Sequence, residues 1–380
     1  MLSFDRIIGI DWSGSNSDWG VAEWQGSGIV HAKLPDLMLL TDNQLQEAVD
    51  QLAACPLPRT APKKQSGIGN EYKNFRSAVD RNLQHIEEGK WHEVLNKGLG
   101  RNVLLGLERF CGIDIPRDLR EAYLPIVKHS QIKTNTWRLP NIIRFLTHAL
   151  KANSDKRTLV LVDAALGYPA GFTKAVFGGE GWEDLLARFG AFYNKLANGM
   201  KPIDVAREIN KKLADDGSPP AFAMSEEWPT IAFYTKNKMS PFRLVDQLLV
   251  GAKSPLDFRQ TTLGKVGGHT ISCLSAISKL RNDPVVSFLF WPQEVYDTEK
   301  LARSKHVIAE VYPAIFDVDD TASLQETTEH ERDARKVVKW AVKSQTNQML
   351  GNAFDLNRFG FNDDWLEKIR EEGWILGLDE

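Results

Sequence analysis

The segment "TLVLVD" at residues 158–163 constrains the fold more than any other part of this sequence. Five consecutive apolar or β-branched residues are typical of a strand that is buried on both faces, as central strands of α/β sheets are. The run ends in an acid, Asp163. Near the N-terminus, "RIIGID" is a second apolar run, and it ends in Asp11. The sequence therefore predicts an α/β protein in which at least two strands end in a carboxylate.

The segments around these two runs alternate between strand and helix patterns. Residues 6–11, 20–24 and 28–33 predict a three-strand antiparallel meander, with "QGSG" as a tight turn between the last two. "VVSFLFWP" and "HVIAEVYP" predict two later strands that end at proline. "TTEHERDARKVVKWAVKSQ" predicts a helix with a capping box formed by Thr328 and Glu331. We therefore expect a mixed sheet flanked by helices.

A long segment without a clear strand pattern interrupts this series. It opens with the proline-rich, basic stretch "CPLPRTAPKKQSG" and is mostly helical in pattern. We predict a large helical insertion at residues 56–155, between the two parts of the core at 1–55 and 156–350. The last segment, 351–380, is acidic but contains two tryptophans, and we expect it to dock on the core.

Composition excludes some partners and favours one compartment. The 380 residues carry a net charge of −3, so a nucleic-acid partner would need a local basic patch. No apolar run approaches the roughly 20 residues that span a bilayer, which predicts no membrane partner, and we see no signal-peptide pattern. The three cysteines, Cys55, Cys111 and Cys273, are far apart in sequence, which favours a reducing, cytoplasmic location. The oligomeric state is left open.

Four acids lie where strands or a helix would bring them to one edge of the sheet. Asp11, Asp163 and Glu310 end apolar runs, and Asp333 lies beside the apolar stripe of the last long helix. Each acid alone is explained as a turn former. If two of the strands are parallel neighbours, however, their terminal carboxylates repel each other, and a divalent cation is the usual reason for keeping such a cluster.

The order of these elements resembles the RNase H-like fold, in which the first and fourth strands are adjacent and parallel. The chain is also similar to domain-of-unknown-function family 429, a family of predicted RNase H-like nucleases. The residues that carry this resemblance are "GIDWSGS", "VDAALGYPAGF", "LGKVGGHTISCLSAISKLR", "FWPQE", "AEVYPA" and "HERDARKV", and they cover roughly 5–55 and 156–345.

The resemblance implies a set of catalytic acids, Asp11, Asp163, Glu310 and Asp333. Within that set, Asp11, Asp163 and Asp333 would hold Mg²⁺ or Mn²⁺, with Asp11 bridging two ions. "GIDIP" at 112–116 imitates an acid-tipped strand, but the segment before it contains Glu108 and Arg109 and makes a poor buried strand. Asp114 is therefore only a reserve candidate for the place of Asp163.

Several residues are candidates for contact with phosphate or nucleic acid. Residues 122–154 contain no Asp or Glu, and "LGKVGGHT" precedes a helix that Thr270 could cap and whose backbone N–H groups could hold a phosphate. A solvated helix pair explains residues 122–154 as well as a phosphate-contacting surface does. A flexible turn before a helix likewise explains "LGKVGGHT" as well as a phosphate site does. The candidates are Ser13, Lys128, Lys133, Arg138, Lys265, Gly267, Gly268 and His330.

Three functions fit these patterns. The first is a metal-dependent phosphodiesterase that cleaves nucleic acid, held by basic residues of 128–151 and 236–281. The second is an ATP-binding phosphotransferase related to actin and the sugar kinases, with "DWSGS" as a phosphate turn, although no second phosphate loop is visible. The third is a binding module in which the acids are structural, since a fold does not fix a function.

Overall fold

The computed structural model describes the sheet and the helices around it. The residues described are 2–12, 19–26, 28–31, 77, 81, 139–224, 231–249, 252–259, 266–317 and 329–378. The chain divides into two compact units, one formed by 1–33, 137–196 and 200–380, and the other by 34–136 and 197–199. All that follows concerns the first unit, which contains the sheet.

This unit is built on a six-stranded mixed sheet with the strand order β3-β2-β1-β4-β6-β5. The meander β1-β2-β3 is antiparallel, whereas β1 and β4, β4 and β6, and β6 and β5 are parallel pairs. The α/β class and the antiparallel meander predicted from the sequence are confirmed. The strands are β1 (Arg6–Asp11), β2 (Gly20–Trp24), β3 (Ile29–His31), β4 (Thr158–Asp163), β5 (Leu289–Trp291) and β6 (His306–Glu310).

Helices flank the sheet, and their bounds place most of them after β4. In chain order they are α1 (Leu139–Ala149), α2 (Phe172–Phe177), α3 (Gly181–Gly190), α4 (Tyr193–Ala197), α5 (Pro202–Asp215), α6 (Ile231–Asn237), α7 (Leu244–Leu248), α8 (Gly267–Arg281), α9 (Thr298–Arg303), α10 (Glu329–Thr346), α11 (Leu350–Ala353) and α12 (Asp363–Glu372). Short 3₁₀ turns lie at Pro313–Ile315 and Leu356–Phe359.

The helix α10 covers one face of the sheet, because its apolar stripe matches the inward side chains of the strands. Val337 and Val338 are buried in one core cluster with Ile7 of β1 and Leu161 of β4. Side chains alternate between the two faces along a strand, so the next residue but one shares a face. Trp12 follows Asp11 and therefore points to the opposite face, where its indole N–H donates to the Ser272 hydroxyl of α8 over 3.0 Å.

The unit boundaries differ from the predicted division of the chain. Residues 137–155, which the sequence assigned to the helical insertion, belong to the unit that contains the sheet. The C-terminal segment packs on the same unit, since Trp374 is buried and the Leu376 N–H donates to the Glu310 carbonyl over 2.9 Å. Trp365, by contrast, is exposed. Among the described residues, none of the helices combines the length and the apolar character needed to cross a membrane.

Candidate functional site

Asp11 and Asp163 lie side by side at the carboxyl ends of the two central strands. They are register partners in the parallel pair β1–β4. Two residues earlier in the same pair, Gly9 is opposite Leu161. Partnered residues of parallel strands point to the same face, and Leu161 belongs to the core beneath α10. Both carboxylates therefore point to the α10 face. Their adjacency is the one that the order of the elements predicted.

The N-terminal turns of α10 bring two more polar side chains, His330 and Asp333, to this edge. His330 Nδ1 lies 2.8 Å from Oδ2 of Asp11. A carboxylate can only accept, so this ring nitrogen carries the proton. A Cβ atom on Gly20, the register partner of Asp11 in β2, would lie 1.9 Å from the His330 carbonyl oxygen. The absence of a side chain at Gly20 thus lets α10 begin directly over β2.

The electrostatics show that the acids share one site. The pKa of Asp163 is raised well above its ordinary value, first by burial and then by the charges of Asp11 and Asp333. As a whole residue, Asp163 nonetheless keeps partial exposure at the strand end. Burial also raises the pKa of Asp333, with further upward contributions from Asp11 and Glu329, whereas Lys336 and His330 lower it. Three carboxylates thus repel one another, the pattern expected of a cation site.

Two neighbours of this acidic set were not identified as site residues from the sequence. Burial lowers the pKa of His269 to about 4, against an upward contribution from Asp11, so the N-terminal turn of α8 approaches the site with a neutral imidazole. Burial raises the pKa of Tyr312, and Asp163 and Asp333 add to this rise. The only available signal for Tyr312 was its place directly after the acid-tipped β6 in "AEVYPA".

Glu310 does not join the acidic set, which corrects the prediction for this residue. It is the register partner of Val162, not of Asp163, and therefore points to the opposite face of the sheet. Its two oxygens accept from Arg243 Nη1 and Nη2, each over 2.7 Å, and one of them also accepts from the Leu166 N–H. The buried guanidinium thus neutralises Glu310, although its charge still contributes weakly to the raised pKa of Asp163.

Apart from His330, the predicted phosphate contacts lie either outside the described residues or at the start of α8. Ser13, Lys128, Lys133, Arg138 and Lys265 lie outside the described residues, as do Asp114 and Thr328. Gly267 and Gly268 begin α8, but a Cβ on Gly267 would lie 2.6 Å from the Phe258 ring, so packing accounts for this glycine. Thr270 lies inside the helix, where its hydroxyl donates to the Val266 carbonyl, and does not form the predicted cap.

Two described basic residues of the predicted nucleic-acid stretches, Lys151 and Arg281, lie away from the acidic edge. Lys151 lies before β4, at the opposite end of that strand from Asp163. Arg281 ends α8, whose 15 residues span about 22 Å, and it pairs with Glu294. Neither of these two residues therefore explains how a polyanion would be held beside Asp11 and Asp163.

The donor set suits a hard divalent cation in its chemistry. Within the part of the chain that the structure describes, no group of three or more His, Cys, Asp or Glu side chains is arranged to hold a metal ion. Mg²⁺, however, is usually held by one or two carboxylates together with water and substrate phosphate. The in-register pair of Asp11 and Asp163 meets that smaller requirement, and Asp333 adds a third carboxylate within electrostatic reach.

Comparisons with known proteins add no further constraint. No family model matches the chain, and neither the curated proteins nor the solved structures include a significant match. The geometry of this site is therefore the basis for a functional proposal.

Proposed function

We propose that this chain is a divalent-cation-dependent phosphodiesterase built on an RNase H-like core. The observation that carries the proposal is the in-register placement of Asp11 and Asp163 at the carboxyl ends of adjacent, parallel central strands. The strand order supports it, because an antiparallel meander followed by a parallel fourth strand beside the first is the order of that fold. Ligands of open α/β sheets bind beyond the carboxyl ends of the strands.

Each residue of the site has a role in this proposal. Asp11 and Asp163 hold Mg²⁺ or Mn²⁺, and Asp333 extends the site from α10. A divalent ion held there would supply a water of lowered pKa and would stabilise the charge that develops on the leaving oxygen. His330 fixes the orientation of Asp11 through the bond from Nδ1. Tyr312 lies beside Asp163 and Asp333, where its hydroxyl can donate to a phosphate oxygen.

The class of substrate is supported by fewer observations than the cation site is. We propose nucleic acid because the resemblance described above is to a nuclease family. A phosphotransferase acting on ATP and a binding module are the competing functions, and each gives a different result in the same set of assays. No described contact favours either of them over the phosphodiesterase.

The decisive experiment is a cleavage panel. The chain is incubated with single-stranded and double-stranded DNA, RNA, an RNA–DNA hybrid and a branched junction, with Mg²⁺, Mn²⁺ or EDTA. Asp11→Asn and Asp163→Asn are compared with Asp155→Asn, which changes an exposed acid before β4 at the far end of the same strand. We expect cation-dependent cleavage that both site variants abolish and Asp155→Asn retains.

Two outcomes would contradict the proposal. One is cleavage that is equal in the wild type and in Asp11→Asn. The other is the absence of cation binding and cleavage in the wild type. If ATP raises the thermal unfolding temperature without any cleavage, the phosphotransferase becomes the better explanation.

A further inference from the structure

The segment that follows Asp163 is held by carboxylates from two other elements. Residues 164–171 connect β4 to α2, and most of them are buried. The Leu166 N–H donates to Glu310 over 2.8 Å. The Ala170 N–H donates to Glu372 over 2.7 Å, and the Gly171 N–H to Glu371 over 3.0 Å. Two of these three acceptors come from the last turn of α12, far away in sequence.

The end of α12 also lies directly against the backbone of this segment. A Cβ atom on Gly167 would be 2.3 Å from the Glu372 carbonyl oxygen, so only glycine permits the contact. The second oxygen of the Glu372 carboxylate accepts from the Leu244 N–H over 2.5 Å. Arg243 Nη1 lies 3.3 Å from the Glu372 carbonyl oxygen. The helix end thus contacts the segment through both its side chains and its backbone.

Glu371 and Glu372 occupy a position that does not favour acids. The C-terminal end of a helix carries partial negative charge, so carboxylates in the last turn oppose the helix dipole. Burial raises the pKa of both side chains, and the backbone N–H groups that donate to them lower it in part. The two acids therefore do not serve the stability of α12. Their described partners are the segment 164–171 and the start of α7.

We propose that Glu371 and Glu372 are positioning residues, which fix the segment 164–171 so that the Asp163 carboxylate stays opposite Asp11. The inference depends on the proposed function, because Asp163 matters to a reaction only if it holds the cation. It assigns the C-terminal helix to the phosphodiesterase site, although none of its residues reaches the acidic set.

Hydrogen exchange, measured by mass spectrometry on the full chain without added cation, tests the inference. The double variant Glu371→Ala/Glu372→Ala removes both acceptors. We expect the amides of 166–171 to exchange at least about tenfold faster, the effect of losing one charged hydrogen bond, with β1 and β6 unchanged. Glu371→Gln keeps a carbonyl acceptor for Gly171 and should stay close to the wild type.

Glu367→Ala is the matched control, because Glu367 is an exposed acid on the same helix. Exchange in the segment that is unchanged in the double variant would overturn the inference. If the double variant fails to fold, Glu371→Ala alone removes one acceptor, and unchanged exchange at Gly171 overturns it equally.

Mn²⁺ titration separates this inference from the proposed function. A wild type that binds no Mn²⁺ contradicts the phosphodiesterase, whatever the exchange rates are. If the wild type binds Mn²⁺, the double variant should bind it about tenfold more weakly, while Glu367→Ala and Glu371→Gln bind normally. Unchanged Mn²⁺ affinity together with faster exchange would show that the contacts are merely structural, and would overturn the positioning role.

Discussion

The substitution Asp163→Asn should stabilise the cation-free protein at alkaline pH. Burial and the charges of Asp11 and Asp333 raise the pKa of Asp163, so the folded state disfavours its ionised form. Asparagine has nearly the same shape but no charge. The substitution therefore removes a repulsion that the folded chain contains whenever no cation compensates it.

The size of the expected gain in stability follows from the distance between the two paired strands. Neighbouring strands are about 4.8 Å apart, and two unit charges about 5 Å apart repel by about 3 kcal/mol at an effective dielectric constant of about 20. Because Asp163 keeps partial exposure, we take this value as an upper limit. The expected gain in the free energy of unfolding is about 1 to 3 kcal/mol at pH 8.

The pH dependence of the free energy of unfolding tests independently whether Asp163→Asn stabilises the protein. An aspartate has a pKa of about 3.9 in the unfolded chain, so the folded chain binds the Asp163 proton at higher pH than the unfolded chain does. Stability from this group is therefore fully present below about pH 4 and is lost as pH rises through the raised folded pKa. The difference between variant and wild type should vanish near pH 4.

Urea unfolding in EDTA, followed by tryptophan fluorescence, measures this difference at pH 8 and at pH 4. Asp155→Asn is the control and should change stability by less than about 0.5 kcal/mol at both values. A loss of stability of more than about 1 kcal/mol for Asp163→Asn at pH 8 would refute the claim that repulsion at Asp163 destabilises the folded chain. That result would mean that the folded chain stabilises the ionised carboxylate.

Three further substitutions test the packing around the site by the same unfolding assay. Gly20→Ala forces α10 away from β2, because its Cβ would meet the His330 carbonyl, and should cost about 1 to 3 kcal/mol; no cost would contradict the close approach. Arg243→Met leaves both Glu310 and Asp246 buried without their shared cation and should cost about 3 to 5 kcal/mol; adding Glu310→Gln should recover only part of this loss, because Asp246 still has no guanidinium partner. Tyr168→Phe removes a buried hydroxyl that has no hydrogen-bond partner among the described residues, and should raise the thermal unfolding temperature; a lower temperature would reveal a bound water or another partner.

The strands were predictable because their signals are local. The β-branched run of β4 and the short run of β1 determine their own conformation, and each ends at the aspartate that the sequence indicated. The pairing of β1 with β4 followed from the order of the elements, so the juxtaposition of Asp11 and Asp163 was also accessible. This juxtaposition is the part of the candidate site that sequence reasoning captured.

The role of Glu310 was not predictable, because it depends on a register shift of one residue. Had β6 been displaced by one residue toward the carboxyl end of β4, this acid would have been opposite Asp163. As the strands pair, it is opposite Val162 and faces the other side of the sheet. Its partner, Arg243, is 67 residues away and carries no local signal of the contact.

The same limit applies to the bond between His330 and Asp11, which joins residues 319 positions apart. The sequence identified both residues but assigned His330 to substrate contact. The structure gives it a bond to a site acid, which follows from the depth at which α10 begins over Gly20. Side-chain partners of this kind are set by tertiary packing and not by local pattern.

The most direct test of the account is calorimetric titration of Mn²⁺ into the wild type, Asp11→Asn, Asp163→Asn and the control Asp155→Asn at pH 7.5. We expect saturable binding in the wild type and in Asp155→Asn, and its loss in both variants of the in-register pair. Equal binding in all four proteins, or none in the wild type, would contradict the claim that Asp11 and Asp163 form a cation site.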